Sequence, residues 1–343
     1  MTTLLAGDIG GTKTLLSLYT SGVQGLELLV SERYPSAAWE GLGPMVRHFL
    51  TSVDPAQRLR PAAACFAVAG PVQAGQARLT NLPWLLSEAE LVQACAIPTV
   101  ELVNDFAVLI YGLPYLEPSQ LAHVRDGSAI ADAPLLVLGA GTGLGVAMGI
   151  PTAQGLRAVA SEAAHGSFAP RTPAEWRLHQ WLQADLGVDR LSIERVVSGT
   201  GLGHVARWLL AERDPEGSHR LRDEAESWAN PSRDRGGADL PAAVAAAAAD
   251  RDPLAVEALA LWLGAYGAVV GDLALACLSR GGIWLAGGTA AKLLDGLRSK
   301  EFITAFLAKG RLQVALEAIP IQAITDPSVG PFSAACRARM LVT

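Results

Sequence analysis

Apolar residues fall into short runs near the N-terminus of the chain and into longer stretches towards its C-terminus. Residues 4–7, 15–19 and 26–33 are short apolar runs divided by glycine turns, which is typical of a three-stranded meander. Residues 62–68 are a further apolar run of strand length, and residues 101–103 continue another predicted strand from the region of residue 100. The first third of the chain therefore predicts a sheet of at least five strands.

Helical spacing of apolar residues dominates after these strands. The predicted helices comprise residues 39–51, 104–111, 173–186, 193–212, 240–250 and 253–279, and a last helix that begins near Pro327. Residues 123–133 are polar and predict a connector. Residues 213–239 are rich in charged residues, glycine and serine, and predict either a loop or short surface helices.

The proline-containing stretch "GLPYLEP", residues 112–118, predicts a domain junction. We expect a small α/β domain over residues 1–112, to which a C-terminal helix over 327–343 returns. A larger α/β domain is expected over residues 113–326. A chain of 343 residues is long enough for two such domains.

Composition narrows the classes of function. Half of the residues are hydrophobic and 17% are charged, which is typical of a globular protein. The net charge is −6 and the sequence contains no basic block of the kind that binds nucleic acid, so we expect no nucleic-acid partner. Its four cysteines form no C-x-x-C pair, which favours isolated buried thiols in a reducing compartment. No secretory signal is visible, and Glu257 and Asp272 interrupt the longest apolar helix, so we expect a cytoplasmic protein without a membrane partner.

The stretch "LLAGDIGGTKT", residues 4–14, looks like a phosphate loop but fits neither common type. A Walker A loop needs a Gly-Lys pair, and here Thr12 separates Gly11 from Lys13. A dinucleotide fingerprint opens into a helix, whereas the apolar run at 15–19 predicts a strand. Strand, glycine turn and strand also describe an ordinary hairpin.

A second stretch, "LLVLGAGTGLGVAMGI" at residues 135–150, repeats this layout. Gly139 aligns with Asp8, and Gly141 aligns with Gly10. Two hairpins of the same layout, each after a candidate domain start, indicate a duplicated fold. A third glycine turn, in "GGIWLAGGTAAKLL" at 281–294, opens into a helix whose N-terminus favours an anionic or polar ligand group.

Seven motifs then occur in one order along nearly the whole chain. They are "GDIGGTKT" (7–14), "LTNLPW" (79–84), "LVNDF" (102–106), "GAGTGLG" (139–145), "SEAAHGSFAPR" (161–171), "ERVVSGTGL" (194–202) and "LAGG" (285–288). In these motifs the chain resembles the bacterial glucokinases of the sugar-kinase, actin and heat-shock ATPase superfamily. The absence of a cysteine-rich zinc cluster favours the branch without that metal.

The resemblance implies a two-domain actin-like ATPase (ribonuclease H-like) α/β fold with a sugar cleft between the domains. It implies ATP-dependent phosphorylation of glucose to glucose 6-phosphate, with ATP and Mg²⁺ as cofactors. The oligomeric state stays open, and a homodimer is one alternative. The residues that would bind the nucleotide are Gly7, Asp8, Ile9, Gly10, Gly11, Thr12, Thr142, Gly143, Gly287 and Gly288. Asp8 would face Mg²⁺ through water, because this ion gives up its water shell reluctantly.

In "VNDF", the resemblance makes Asp105 the base that receives the proton of the sugar 6-hydroxyl. Asn104 would hydrogen-bond a neighbouring hydroxyl. From the residues alone, Asn or Asp at this place is also a helix N-cap.

The remaining sugar ligands implied by the resemblance are Asn81, Glu162, His165 and Glu194. A carboxylate and an imidazole can accept from and donate to a pair of vicinal hydroxyls. Without the motif, Glu162 and His165 are an ordinary surface pair, and Glu194 is an acid at a helix start. Two ligands are too few for a zinc site.

One departure concerns Ala163 and Ala164, where the family has two glycines. Alanine resists positive φ, so the sugar loop keeps its shape only if neither position requires that conformation. Two alternative functions also stay open: a kinase for another hexose or amino sugar, and a glucose-binding regulatory protein with weak catalysis.

Overall fold

The computed structural model describes residues 1–23, 25–54, 56, 59–79, 82–230 and 237–342. Its fourteen described strands are β1 (Thr2–Ile9), β2 (Lys13–Gly22), β3 (Gly25–Pro35), β4 (Ala63–Val68), β5 (Val72–Gln73), β6 (Gln76–Arg78), β7 (Leu85–Ser87), β8 (Thr99–Asn104), β9 (Leu121–Arg125), β10 (Leu135–Ala140), β11 (Leu144–Thr152), β12 (Gly155–Ser161), β13 (Gly282–Ala286) and β14 (Ile321–Ile324).

The described α-helices are α1 (Leu42–Val53), α2 (Glu88–Cys95), α3 (Leu109–Gly112), α4 (Pro173–Leu186), α5 (Gly199–Arg213), α6 (Arg222–Ala229), α7 (Leu240–Ala249), α8 (Pro253–Cys277), α9 (Gly288–Lys292), α10 (Leu294–Leu297), α11 (Lys300–Leu307), α12 (Gln313–Glu317) and α13 (Val329–Met340). Strands and helices alternate as the apolar pattern predicts.

Three sheets organise these strands. Their orders are β3-β2-β1-β4-β8, β12-β11-β10-β13-β14-β9 and β5-β6-β7. In the first sheet β1 pairs antiparallel with β2 but parallel with β4, and β4 pairs parallel with β8. In the second, β10, β13 and β14 are parallel neighbours.

The chain divides by backbone contacts into two compact units. One comprises Met1–Gln120, Ala147–Ala160 and Asp326–Thr343, and the other comprises Leu121–Val146 and Ser161–Thr325. In the first unit the Tyr111 hydroxyl accepts from the Ala158 amide at 3.4 Å, and the Gln120 side chain donates to Asp326. The units therefore begin and end at residues other than the predicted domain boundaries, and the predicted domains stay a prediction.

The core of the first unit lies on its five-stranded sheet. Leu4, Leu5 and Ala6 on β1 are fully buried, because this central strand is covered on both faces. Helix α1 buries Met45, Val46 and Phe49 in that core. Helix α13 packs against β1, β4 and α3 through small side chains such as Ala334 and Ala335.

In the second unit α8 is the central helix. It buries Trp262 and Tyr266 completely and packs against α5, α7 and α11. Among the described residues it is the helix long and apolar enough to cross a membrane by length and composition, but 72% of its apolar window is buried within the protein. Its apolar residues therefore serve the protein core, as the charged residues within the helix led us to expect.

The structure corrects several predicted elements. Residues 123–125 of the connector predicted at 123–133 belong to β9, which pairs with β14 and forms the edge of the second sheet. The helix predicted at 104–111 is shortened to α3, because residues 105–108 form a turn. The helix predicted at 193–212 is divided, since the extended backbone of Ser198 interrupts it and its hydroxyl caps α5 by accepting from the Gly201 amide.

Two further expectations meet the structure only in part. The polar segment at 213–239 contains helix α6, and residues 231–236 lie outside the described residues. Cys65, Cys95 and Cys336 are buried free thiols as expected, whereas Cys277 is half-buried.

Candidate functional site

Two of the predicted carboxylates lie at one edge of the five-stranded sheet. Strand β1 ends at Ile9 opposite Val68 of β4, and Val68 lies opposite Asn104 at the end of β8. Asp8 and Asp105 therefore stand at the carboxyl ends of parallel strands, where α/β sheets bind their ligands. Their strands are separated by β4, so their backbones are about 10 Å apart, too far for the two residues to form a carboxylate dyad.

Asp8 is half-buried beside the start of helix α13. A Cβ built on Gly330, in the first turn of that helix, would lie 3.7 Å from the Asp8 Oδ2 atom. Burial raises the pKa of the Asp8 carboxyl above its ordinary value of 3.8, and the charge of Arg33 opposes this rise. The ionised carboxylate would gain from a cation at this place.

The turn at residues 10–12, here called the first glycine hairpin, is held by Ser36. The Ser36 hydroxyl donates to the Gly10 carbonyl at 2.8 Å, and the Ser36 amide donates to the Thr12 carbonyl at 3.0 Å. The Gly10 amide donates to the Lys13 carbonyl, and a Cβ on Gly10 would meet that carbonyl oxygen at 2.9 Å. No local pattern indicated a role for Ser36, which lies 26 residues from Gly10 in the chain.

The other predicted residues of this motif divide between strand and turn. Gly7 and Ile9 are buried in β1, and a Cβ on Gly7 would come within 2.6 Å of the Phe66 ring. Gly11 and Thr12 lie in the turn itself and are partly or fully exposed. Close packing thus accounts for Gly7, while Gly11 and Thr12 are accessible to a ligand.

Asn104 and Asp105 form a hydrogen-bonded pair. The Asn104 Oδ1 atom accepts from the amides of Phe106 and Ala107 at 3.0 Å, so Asn104 caps the turn that follows β8. Its amide nitrogen donates to the Gly70 carbonyl at 3.1 Å and to the Asp105 Oδ1 atom at 3.0 Å. The Asp105 Oδ1 atom also accepts from the Phe106 amide, at 3.0 Å. The carboxylate of Asp105 is therefore held in one orientation by two donors.

Asn81, another predicted sugar ligand, lies outside the described residues together with Thr80. Its predicted role stays a prediction.

In the second unit, residues 141–143 between β10 and β11 form the second glycine hairpin, which the start of α5 holds in place. The Gly141 amide donates to the Gly143 carbonyl at 2.8 Å. The Gly199 amide donates to the Gly141 carbonyl at 2.6 Å, and the Thr200 hydroxyl donates to the Thr142 carbonyl at 2.7 Å. The buried Trp262 indole donates to the Ser198 carbonyl at 2.8 Å and so fixes the start of α5.

A cavity of about 350 Å³ opens beside this hairpin. It is lined by Gly141, Thr142, Gly199, Thr200, Leu202, Trp228, Asp239, Pro241, Ala242, Ala245, Gly288, Thr289, Lys292 and Leu293. It thus brings the predicted nucleotide residues Thr142 and Gly288 to one place. Thr200 and Lys292 also line the cavity, and neither was predicted from the sequence, because only the fold brings them to this place.

Gly287 precedes α9 with a φ of +85°, a conformation that favours glycine. A Cβ there would meet the Ala140 carbonyl oxygen at 3.3 Å. The Thr289 hydroxyl donates to the same carbonyl. The third glycine turn is therefore packed directly against the end of β10.

Glu162 and His165 lie on a turn of 3-10 helix, with the His165 Nε2 atom 3.6 Å from the Glu162 Oε2 atom. Their side chains are 69% and 58% exposed, respectively. Ala163 and Ala164 form the middle of this turn, and positive φ among the described non-glycine residues occurs elsewhere, at Ala74, Ala96, Arg251 and Leu278. The two alanines thus fit the loop without backbone strain.

Glu194 faces the second glycine hairpin. Its Oε2 atom accepts from the Leu144 amide at 3.0 Å, and a Cβ on Gly143 would lie 2.4 Å from that oxygen. The predicted nucleotide residue Gly143 and the predicted sugar ligand Glu194 therefore touch, which the linear sequence did not indicate.

Comparisons with known proteins identify the family of the chain. The family model described as Glucokinase matches residues 5–341. A glucokinase of Synechocystis sp. is 42% identical, with 96% of each chain covered. The chain belongs to the glucokinase family. A glucokinase of Nostoc punctiforme is 39% identical over 99% of this chain and all of that protein.

A solved structure extends the match to the fold. The glucokinase from an Antarctic psychrotroph superposes with a TM-score of 0.82 at 28% identity, covering 99% of both chains. These comparisons confirm the predicted family, the two-domain α/β sugar-kinase fold and the predicted reaction, the ATP-dependent phosphorylation of glucose.

Proposed function

We propose that this glucokinase-family protein transfers the γ-phosphoryl group of ATP to the 6-hydroxyl of glucose, with Asp105 as the base. The observation that carries this assignment is the Asp105 carboxylate at the carboxyl end of β8, oriented by the Asn104 side chain and the Phe106 amide. Phosphoryl transfer depends mainly on positioning and charge stabilisation, with one residue orienting the nucleophile.

In this mechanism Asp105 accepts a hydrogen bond from the sugar 6-hydroxyl and takes its proton as the oxygen attacks the γ-phosphorus. The Asn104 side chain stops the carboxylate from rotating away, because it donates to the Oδ1 atom. Asn104, Asn81, Glu162, His165 and Glu194 would bind the other hydroxyls, where carboxylates and amide oxygens accept and nitrogen atoms donate.

The nucleotide would bind through backbone amides and a shaped cavity. The glycine turns supply donors for phosphate oxygens in places where a side chain would obstruct them. The cavity of about 350 Å³ beside Thr142 and Gly288 falls within the usual size of small-molecule sites, and Lys292 on its wall supplies a positive charge.

The donor set around Asp8 fits Mg²⁺. Within the described ranges no group of three or more His, Cys, Asp or Glu residues is arranged to hold a metal ion. Mg²⁺ keeps several of its waters and usually takes one or two carboxylates together with substrate phosphates, so it needs no protein cage. When bound, the ion would neutralise developing charge on the phosphates. Asp8 would orient it through water.

We further propose a cytoplasmic enzyme whose partner is its sugar substrate, without a nucleic-acid or membrane partner. The buried free thiols of Cys65 and Cys336 support a reducing compartment. A homodimer stays a prediction that sedimentation can test.

The test is a coupled assay with several hexoses, amino sugars and phosphoryl donors. We expect glucose and ATP to give the highest kcat/KM. A higher kcat/KM for another hexose or amino sugar would identify a kinase of that sugar. Glucose binding by calorimetry without turnover would identify a regulatory protein instead.

A further inference from the structure

One short segment connects the predicted sugar loop to the second glycine hairpin. It comprises residues 191–200 and is here called the connecting segment. At its first end the Phe168 amide donates to the Leu191 carbonyl at 2.9 Å, and the Ile193 amide donates to the Gly166 carbonyl at 2.8 Å. At its other end Gly199 and Thr200 hold the hairpin. The segment thus contacts both predicted binding regions within ten residues.

Glu194 lies at the centre of this segment with its carboxylate against the hairpin. Its Oε2 atom accepts from the Leu144 amide, and Leu144 is only 5% exposed. Because a Cβ on Gly143 would stand 2.4 Å from this oxygen, only glycine lets the carboxylate come so near. The Ser198 hydroxyl donates to the Glu194 carbonyl at 2.7 Å and fixes the residue further.

A carboxylate has two oxygens that accept hydrogen bonds independently. In Glu194 one oxygen is committed to the amide of Leu144, the residue that directly follows the hairpin. A sugar hydroxyl bound to the other would share the same side chain, so sugar and hairpin would fix one rotamer together. The first ligand to bind loses the conformational entropy of fixing this rotamer. The second ligand then binds a side chain that is already ordered, so each ligand increases the affinity for the other.

We propose that Glu194 is a positioning residue through which the bound sugar orders the second glycine hairpin for the nucleotide. The inference rests on the proposed function, since it takes Glu194 as a sugar ligand and the hairpin as a nucleotide site. It adds that the two binding events are linked through the hydrogen bond between Glu194 and Leu144.

Binding of a non-hydrolysable ATP analogue with Mg²⁺, measured by calorimetry with and without saturating glucose, tests this link. We expect glucose to raise the analogue affinity of the wild-type protein and to raise that of Glu194→Ala less. In Glu194→Ala the buried Leu144 amide loses its acceptor, so we expect analogue affinity without sugar to fall roughly 5- to 150-fold. Glu194→Gln keeps an oxygen acceptor. It should restore the sugar-free analogue affinity to within about twofold while still binding glucose more weakly.

The reciprocal variant is Gly143→Ala, whose methyl group would displace the Glu194 carboxylate. We expect it to weaken glucose binding measured without nucleotide, although Gly143 belongs to the hairpin. The matched control is His165→Ala, a change in the sugar loop away from the hairpin, which should leave sugar-free analogue binding unchanged.

A wild-type analogue affinity that glucose leaves unchanged would overturn the proposal. An unchanged sugar-free analogue affinity in Glu194→Ala would also overturn it and leave Glu194 as a sugar ligand only. Equal losses in Glu194→Ala and Glu194→Gln would also overturn it, because the amide oxygen should rescue the contact. If Glu194→Ala does not fold, as judged by circular dichroism, the Gly143→Ala measurement decides alone. Failure of the proposed function is seen separately, as a wild-type protein that phosphorylates no sugar.

Discussion

Asn104 combines two roles that substitutions can separate. Its Oδ1 atom caps the turn after β8, and its amide nitrogen orients the Asp105 carboxylate. Asn104→Ala removes both, whereas Asn104→Asp keeps an oxygen for the cap but replaces the donor to Asp105 with a second carboxylate. Asp is as good an N-cap as Asn.

The expected magnitudes follow from these contacts. Asn104→Ala should lower the unfolding free energy by about 1 kcal/mol for the lost cap, and somewhat more because the Gly70 carbonyl loses its donor. In Asn104→Asp the two carboxylates would lie near 4 Å apart after relaxation. Their repulsion is about 1 kcal/mol in bulk water and about 4 kcal/mol at an effective dielectric constant of 20. The pair should therefore titrate roughly 1–3 pH units higher than Asp105 alone.

The assays are chemical denaturation and the pH dependence of kcat. At neutral pH we expect Asn104→Asp to unfold at a lower denaturant midpoint than wild type, because the two carboxylates repel each other and the Gly70 carbonyl loses its donor. Its acid limb of kcat should move to higher pH. Asn104→Ala should also be less stable than wild type, but its acid limb should move less, because it removes one donor to the Asp105 carboxylate without adding a second charge. A wild-type pH profile in Asn104→Asp would refute the reasoning and leave Asn104 as a cap without influence on the base.

Three further predictions concern the other parts of the site. Asp8→Asn should stabilise the ligand-free protein at pH 7 but lose Mg²⁺-dependent turnover. Burial raises the pKa of Asp8 in the folded protein, so the ionised carboxyl lowers the free energy of unfolding above pH 3.8. Denaturation curves of the variant and wild type should converge below that pH, and curves that stay apart there would contradict the prediction. Glu162→Gln and His165→Ala should each weaken glucose binding by about 1–3 kcal/mol; unchanged KM and Kd for glucose in both would make them structural. Gly287→Ala should destabilise the protein by about 1–3 kcal/mol, because alanine resists the φ of +85° at this position. The control Gly288→Ala, whose Cβ would meet open space, should unfold like wild type. Equal denaturation midpoints of the two variants would contradict this prediction.

Local patterns predicted the strands and helices well where one period dominates. The meander of β1, β2 and β3 and the helix α4 follow directly from apolar spacing. The prediction failed where side-chain capping overrides periodicity. Ser198 interrupts a continuous helical pattern because its hydroxyl begins a new helix there.

Residues of the candidate site could be predicted only where they lie close together in one sequence motif. Asn104 and Asp105 are sequence neighbours, so "VNDF" revealed both. Tertiary packing places Ser36, Thr200 and Lys292 at the site. Each is distant in sequence from a motif beside which it lies, so no local sequence pattern predicts its place. The contact of Glu194 with Leu144, 50 residues apart, is of the same kind.

Asp105 is the proposed base for phosphoryl transfer to glucose. The most direct measurement compares kcat, from the coupled assay, with the glucose dissociation constant, from calorimetry, in Asp105→Asn and wild type. The amide keeps an oxygen that can accept from the Phe106 amide, so the turn should stay folded. We expect glucose binding close to wild type and a kcat lower by about 10²- to 10⁴-fold. A kcat within a fewfold of wild type would contradict it.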